Sequence, residues 1–205
     1  MPYADSEIAE AIRAEGVSVS ERAAHSDTTG RFALGSRGRG AAHGTSLHST
    51  LRAGGLLGNK HIPAMYQRAS IEQRTQLLQG LLDTDGGIGK SGEIEYCTTA
   101  PQLAIDVLTL IRSLGFKART RESDAVLNGR VIGRRWRIHF HAYRDRPMFQ
   151  LERKRERQPE RPRTRPLSEG RMIVGCEPIA SVPVKCVYVD SPSHLYLAGA
   201  ALVPT

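Results

Sequence analysis

The clearest helical pattern of apolar positions lies between residues 70 and 83. Ser70 is followed three residues later by Gln73, a capping-box pattern that marks a helix start. The apolar stripe of the predicted helix 71–83 consists of leucines: Leu77, Leu78, Leu81 and Leu82. Gly80 costs this helix about 1 kcal/mol relative to alanine, which makes sense if another helix packs closely against it.

Alternating polar and apolar positions predict strands on both sides of a second helix, 100–113, which ends before Gly115. The predicted strands are 93–99, 116–121, 126–127 and 134–141. Asn128-Gly129, between them, is the favoured pair of a type I′ hairpin turn. The order helix, strands, helix, strands predicts an α+β fold.

The flanking regions are less regular. Residues 5–16 predict a short amphipathic helix that stops at Gly16, whereas 25–55 are rich in Gly, Ser, Thr and His and predict a loop or a poorly ordered stretch. Residues 152–166 combine dense charge with three prolines, which predicts a helix end passing into an extended linker. Short apolar strands are predicted after it, at 172–179, 184–189 and 195–198.

Charge indicates a phosphate-rich partner. The chain has 29 Lys and Arg against 21 Asp and Glu, a formal charge of +8 and a pI near 9.8. Side chains alternate between the two faces of a strand, so one sheet face gathers the basic residues while Trp136, Ile138 and Phe140 face helices. The predicted DNA-contacting residues are Lys117, Arg119, Arg121, Arg135, Arg137 and His139. The alternative is that these arginines only keep exposed strands soluble.

The cysteines indicate neither a disulfide framework nor a zinc site, because Cys97, Cys176 and Cys186 are three in number and lack ligand spacing. The N-terminal residues lack the pattern of a signal peptide, and no apolar run approaches the roughly 20 residues that span a bilayer. We therefore expect a soluble, cytoplasmic protein with no membrane partner.

Two carboxylates, Asp83 and Asp85, stand at the predicted C-terminus of the helix 71–83 in the run Leu-Gln-Gly-Leu-Leu-Asp-Thr-Asp-Gly. The helix dipole makes negative charge there unfavourable by several tenths of a kcal/mol, roughly 0.3–1 kcal/mol. A divalent cation would reverse that penalty, and carboxylate and carbonyl oxygens suit Mg²⁺. The alternative is an ordinary Asx turn at a helix end.

The same nonapeptide resembles the LAGLIDADG motif of homing endonucleases, whose fold combines such helices with an antiparallel, saddle-shaped sheet. In that family two motif helices pack through their small residues, and the last acid of each holds metal at the scissile phosphates. The resemblance implies Asp85 as the catalytic acid and Mg²⁺ ligand, with the Gly86 carbonyl beside it and Asp83 in support. It also implies double-stranded DNA as the partner and a possible homodimer through the helix 71–83.

Two lysines follow from the same resemblance. The block Gly-Asn-Lys-His-Ile-Pro at 58–63 is similar to the Asn-Lys-x-Ile-Pro block that precedes the second motif helix in inteins, which implies a catalytic role for Lys60. The stretch 149–154 is similar to a region near the end of the second endonuclease half, where another active-site lysine lies, and this implies Lys154.

The C-terminal region resembles the penultimate splicing block of inteins, in which Asp190 and His194 match residues that assist splice-junction chemistry. The chain opens with no splicing nucleophile and stops at Thr205 before a terminal His-Asn, so we expect no protein splicing. Residues 5–16 resemble the segment that follows the first motif helix, so we also expect impaired cleavage. The pattern is most similar to inteins of the bacterial replicative DNA helicase.

The sequence therefore predicts four segments. They are a remnant of a first endonuclease half at 1–55, a LAGLIDADG half at 56–155, a basic linker at 156–169, and the last strands of an intein splicing (Hint) domain at 170–205. The predicted function is magnesium-dependent cleavage of a long double-stranded DNA site. Two alternatives remain: a DNA-binding module without catalysis, and a decaying intein fragment with no stable fold.

Overall fold

The centre of the molecule is a four-stranded antiparallel sheet with helices packed on one face. The computed structural model describes residues 5–26, 29–35, 47–163, 170 and 172–204. The helices are α1 Ser6–Ala14, α2 Leu47–Ala53, α3 Ala64–Gln67, α4 Ile71–Asp85, α5 Pro101–Ser113 and α6 Glu152–Arg155. The strands are β1 Val19–Ser26, β2 Thr29–Leu34, β3 Gly86–Ile88, β4 Glu93–Thr98, β5 Ala118–Leu127, β6 Arg130–His141, β7 Leu197–Ala198 and β8 Val203–Pro204.

The helix α4 begins as the sequence predicts and extends two residues further than expected. The Ser70 hydroxyl accepts a hydrogen bond from the Gln73 amide at 3.2 Å, and the Gln73 side chain accepts one from the Ser70 amide at 3.3 Å. This reciprocal pair satisfies two amides that a helix start leaves without partners. Gly80 is exposed, and nothing lies within 4 Å of the position that a Cβ would take. Within the described residues, no second helix makes the close packing expected at Gly80.

The central sheet has the order β3-β4-β6-β5, and its neighbouring strands are antiparallel. The turn between β5 and β6 has positive φ at both Asn128 (49°) and Gly129 (76°). Positive φ at both central residues is the requirement of a type I′ turn, so this prediction is confirmed. The two strands run on without the interruptions expected from the sequence, apart from an irregularity in register between Ala125 and Val126.

The hydrophobic core lies between this sheet and the helices α4 and α5. Leu82 of α4, Leu110 of α5 and Ile138 of β6 are all fully buried there. Phe140 is buried on the same side of β6, and Trp136 packs against the core. The prediction that the even-numbered positions of this strand face helices is confirmed. The odd-numbered positions therefore lie on the opposite face of the sheet.

The expectation of a loop over 25–55 is wrong for much of that stretch. The strands β1 and β2 form an antiparallel hairpin, with Val19 opposite Leu34, and α2 is helical. Main-chain hydrogen bonds hold a hairpin together without a long apolar run, which explains why apolar content gave no signal. Residues 36–46 of the expected loop lie outside the described residues.

The expectation of strands at 172–179 and 184–189 is also wrong. These residues form no strand, and Ile173 and Val174 are 93% and 97% exposed. A strand needs a neighbour for its main-chain hydrogen bonds, and the described part of the chain supplies none here. Within the predicted strand 195–198 only Leu197 and Ala198 pair, with Val203 and Pro204.

The first part of the predicted linker is packed against the main unit. Gln158 is buried. Its side-chain oxygen accepts a hydrogen bond from the Met148 main-chain amide at 2.8 Å, and its side-chain nitrogen donates one to the Tyr143 main-chain carbonyl at 3.3 Å. Arg161 forms an ion pair with Asp145 at 2.7 Å. The residues packed on the central sheet and its helices therefore extend at least to residue 161. Residues 164–169 of the predicted linker lie outside the described residues.

None of the described helices combines the length and the apolar character that crossing a membrane requires.

Candidate functional site

The structure brings three of the predicted site residues into one cleft. Lys60, Asp85 and Arg135 line a cavity of about 600 Å³ together with Tyr96 and Leu103. Asp85 comes from the end of α4, Lys60 from the segment before α3, and Arg135 from β6. The cleft thus joins the helix end that carries the acid to the sheet strand that carries the arginines.

Asp85 is exposed at the last position of α4, and Gly86 turns the chain directly into β3. Gly86 has an extended backbone, and a Cβ there would lie 2.6 Å from the Leu82 carbonyl oxygen. Only a glycine fits so close to the last helical turn. This explains a glycine after the acid on packing grounds alone.

Asp83 holds the end of α4 in place, a role that the family resemblance implies. It is buried, and its carboxylate accepts from the main-chain amides of Gln150 at 3.0 Å and Leu151 at 3.3 Å. Burial raises the pKa of Asp83, and the two amide donors act in the opposite direction. Asp83 therefore ties the end of α4 to the segment that begins α6.

Lys154 closes the same helix end from the other side. Lys154 is only 6% exposed. Its ammonium donates hydrogen bonds to the main-chain carbonyls of Leu82, Asp83 and Gly86 at 2.9, 2.7 and 2.8 Å. An ammonium has three protons, and all three are used, which is the arrangement of a charged C-terminal cap. Burial lowers the pKa of Lys154.

This geometry bears on two predicted roles. In the described contacts, the Lys154 ammonium is occupied by main-chain oxygens, and the Gly86 carbonyl already faces that positive charge. Catalysis by Lys154 and metal binding by Gly86 stay predictions, and catalysis by Lys154 would require its three contacts to rearrange.

The chain just after Lys60 is anchored by a carboxylate that sequence reasoning missed. Asp106, a buried residue of α5, accepts from the Ile62 amide at 2.8 Å and from the Gln102 side chain at 2.9 Å. The first of these contacts fixes the chain two residues after Lys60. The available signal was the position of Asp106, which falls on the apolar stripe of its helix beside Leu103 and Leu110.

Tyr96 contributes a neutral hydroxyl to the cleft. Its ring is buried, and burial together with the nearby negative charge of Asp85 raises the pKa of Tyr96 to about 12. The phenol therefore keeps its proton to a higher pH than an ordinary tyrosine does.

The sheet face opposite the core, here called the outer face, carries the predicted DNA-contacting residues together with two glutamates. Arg119 pairs with Glu93 at 2.6 Å, and Arg137 pairs through two nitrogens with Glu95. The residues that define the outer face are Glu93, Glu95, Arg119, Arg121, Arg135, Arg137 and His139. Sequence reasoning noted the basic alternation on β5 and β6 and missed the acidic alternation on β4.

The remaining predicted DNA-contacting residues differ in their exposure. Arg121 is exposed, and Arg135 donates to the Ser123 hydroxyl at 3.2 Å. The side chain of His139 is only 12% exposed. Its Nδ1 lies 3.5 Å from a Glu93 carboxylate oxygen, and its Nε2 lies 3.7 Å from a Glu95 carboxylate oxygen. Lys117, just before β5, donates to the Gly170 carbonyl at 2.8 Å.

Asp190 and His194 lie in the C-terminal segment and do not line the cleft. His194 has a positive φ of 54°, and its Nδ1 lies 3.1 Å from the Val189 carbonyl oxygen. Its ring packs at 5.2 Å from the ring of Tyr188. Their role in splice-junction chemistry stays a prediction.

Comparison with known proteins agrees with this geometry. The family described as LAGLIDADG-like domain matches residues 72–142. Over 163 residues the chain is 44% identical to the replicative DNA helicase DnaB of Mycobacterium intracellulare, a match that covers 78% of this chain and 28% of the helicase. The chain thus spans less than a third of the length of that relative. The α+β class and the resemblance to the LAGLIDADG family are confirmed.

Proposed function

Because residues 72–142 form a LAGLIDADG-like domain, we propose that this chain is the endonuclease part of an intein. Its activity is magnesium-dependent cleavage of a long double-stranded DNA site. The observation that carries the proposal is the shared cleft, in which Asp85 and Lys60 meet Arg135 at the border of the outer face. Duplex bound along that face would place a phosphate within reach of the acid.

The side chains present fit a magnesium ion held in part by the substrate. The described residues contain no group of three or more His, Cys, Asp or Glu side chains arranged to hold a metal. Mg²⁺ commonly takes only one or two carboxylates and completes its shell with phosphate oxygens and water. Asp85, exposed at the cleft, is the carboxylate of this chain that would hold it. When bound, Mg²⁺ neutralises phosphate charge and acidifies a coordinated water.

Lys60 and Arg135 supply positive charge in the same cleft as that acid. Both line the cleft, and the contact from Asp106 to Ile62 limits the movement of the Lys60 segment. Cations beside a bound phosphate stabilise the charge that develops on it in the transition state. Their role is to bind and orient the phosphate and to offset its charge.

A second copy of the chain would complete a paired site. One described helix, α4, ends in the acidic motif, and its Gly80 face is open. A glycine on an exposed helix face lets another helix approach closely. We propose that two chains pair through α4, and sedimentation of the chain with and without duplex DNA measures this. A Gly80→Leu variant should sediment as a monomer in both conditions.

Cleavage is tested on a supercoiled plasmid that carries an uninterrupted replicative-helicase gene, with Mg²⁺ and with EDTA. We expect linear or nicked product with Mg²⁺ alone. A plasmid with a scrambled insert of equal length is the control. Equal cutting of both plasmids, or cutting in EDTA, contradicts the proposal.

Binding is tested separately from cutting by a salt titration in EDTA. Each neutralised phosphate contributes about −0.9 to the slope of log affinity against log salt, so replacing Arg121 and Arg135, two arginines of the outer face, by alanine should flatten the slope by roughly two units. Unchanged slope would place the DNA contacts elsewhere, for example on residues 152–163.

A non-catalytic DNA-binding module is the second candidate. It is favoured by the single acidic helix end among the described helices and by the engagement of Lys154 with carbonyls rather than with the cleft. Under this alternative the salt titration succeeds and no plasmid is cut in any condition.

A further inference from the structure

The outer face carries carboxylates where a surface that contacts only phosphates should carry none. Glu93 and Glu95 both lie on β4, among the arginines of β5 and β6. A carboxylate beside a polyanion is repelled, so it weakens binding that depends on charge alone. The two glutamates therefore need another explanation than phosphate contact.

Glu95 holds the Arg137 side chain by one edge of its guanidinium group. One carboxylate oxygen accepts from Nε at 2.9 Å, and the other accepts from Nη2. The two side chains are 31% and 37% exposed, so the pair is half-buried in the sheet surface and yet reaches solvent. The hydrogens of Nη1 and the outer hydrogen of Nη2 remain for a ligand in front of the sheet.

That remaining edge matches one base. Guanine presents two acceptors, O6 and N7, in the major groove, and a bidentate arginine is the commonest specific contact to them. An arginine that is already held in one orientation loses less side-chain freedom when it binds. We propose that Arg137, positioned by Glu95, is a specificity-determining residue that reads a guanine in the major groove, an inference that rests on the proposed function.

Other arginines of the sheet lack this arrangement. Arg134 donates from Nε to the Glu122 carboxylate and from Nη1 to the Asp124 carboxylate, both at 2.8 Å. Its donors are therefore shared between two acids. Arg119 contacts Glu93 through a single nitrogen and is 77% exposed. Such a side chain suits phosphate contact, which carries no sequence information.

The test is selection from a random double-stranded DNA library, in EDTA, with the parent chain and three single variants. The parent should enrich a site with a strongly preferred G·C pair. Arg137→Lys keeps the charge and removes the fork, so the preference at that pair should fall by roughly 5- to 100-fold. Glu95→Gln should weaken the same preference and also bind an A·T-only duplex more tightly, because a repelled carboxylate is gone.

Glu122→Gln is the matched control, since it also removes one acid from an arginine pair, and it should leave the selected site unchanged. A parent that enriches no G·C pair, or a Glu95 or Arg137 variant that enriches the same pair as strongly as the parent, overturns the inference. A parent that binds no duplex at all is a different result, because it removes the proposed function itself. Thermal melts of all variants confirm that each is folded.

Discussion

Replacing Lys154 by methionine removes the ammonium that closes the end of α4 and keeps a buried side chain of similar length. The Leu82 carbonyl retains a donor, because the Gly86 amide also bonds to it. The buried Asp83 carbonyl loses the contact from Lys154 at 2.7 Å, and the partly buried Gly86 carbonyl loses the one at 2.8 Å. The variant therefore measures how much one side chain contributes to holding the acidic helix end.

The expected cost follows from these contacts. A buried carbonyl without a donor costs about 1–3 kcal/mol, and loss of positive charge at a helix C-terminus costs about 0.3–1 kcal/mol. Methionine has no charge to desolvate, whereas burial of the Lys154 ammonium is unfavourable and lowers its pKa. This difference offsets part of the loss in the free energy of unfolding. We expect a net loss of about 2–3 kcal/mol in the free energy of unfolding. For a chain of this length that lowers the melting temperature by roughly 4–12 °C.

Thermal and urea unfolding of the parent and of Lys154→Met measure the effect. Lys185→Met is the control, because Lys185 is exposed in the C-terminal segment and should change stability little. A Lys154 variant that melts within a degree of the parent would refute the capping role. If such a variant also loses cleavage, Lys154 acts in the chemistry, as the family resemblance implies.

Three further predictions concern the cleft and its supports. Asp106→Ala should release the chain at Ile62, which faster hydrogen exchange of the Ile62 amide would show; unchanged protection would contradict the anchor. In a Lys60→Met variant, Asp106→Ala should not reduce the cleavage rate further. If the two substitutions reduce the cleavage rate additively, Asp106 affects cleavage by a route that does not involve Lys60. Stability should fall as pH rises from 10 to about 12, because the folded chain keeps the Tyr96 proton that the unfolded chain loses; an equal alkaline loss in Tyr96→Phe would assign it to other groups.

Local signals were sufficient for the elements that surround the cleft. The capping box at Ser70, the leucine stripe of α4 and the Asn128-Gly129 turn each act within a few residues, and the structure has all three. The strand period of two also placed the arginines and the core residues on opposite faces. For these elements the determining contacts are near in sequence, and pattern and structure agree.

The supports of the site depend on contacts between distant residues, and these gave no local signal. Lys154 reaches a carbonyl 68 residues away at Gly86, and Asp106 reaches an amide 44 residues away at Ile62. The predicted strands at 172–179 and 184–189 failed for a related reason. Apolar alternation indicates what a strand could bury, but a strand forms only where a neighbour accepts its hydrogen bonds.

The most direct test compares the parent chain with Asp85→Asn in two assays. Cleavage is measured on the same plasmid with Mg²⁺, and binding is measured on the same labelled duplex in EDTA. Asn keeps the shape of Asp85 and removes its charge, at a helix end where a carboxylate is unfavourable by about 0.3–1 kcal/mol. We predict that the variant loses magnesium-dependent cleavage, binds duplex as tightly as the parent in EDTA, and melts at the same or a slightly higher temperature. A variant that cuts the plasmid as fast as the parent would contradict the assignment of Asp85 as the catalytic acid.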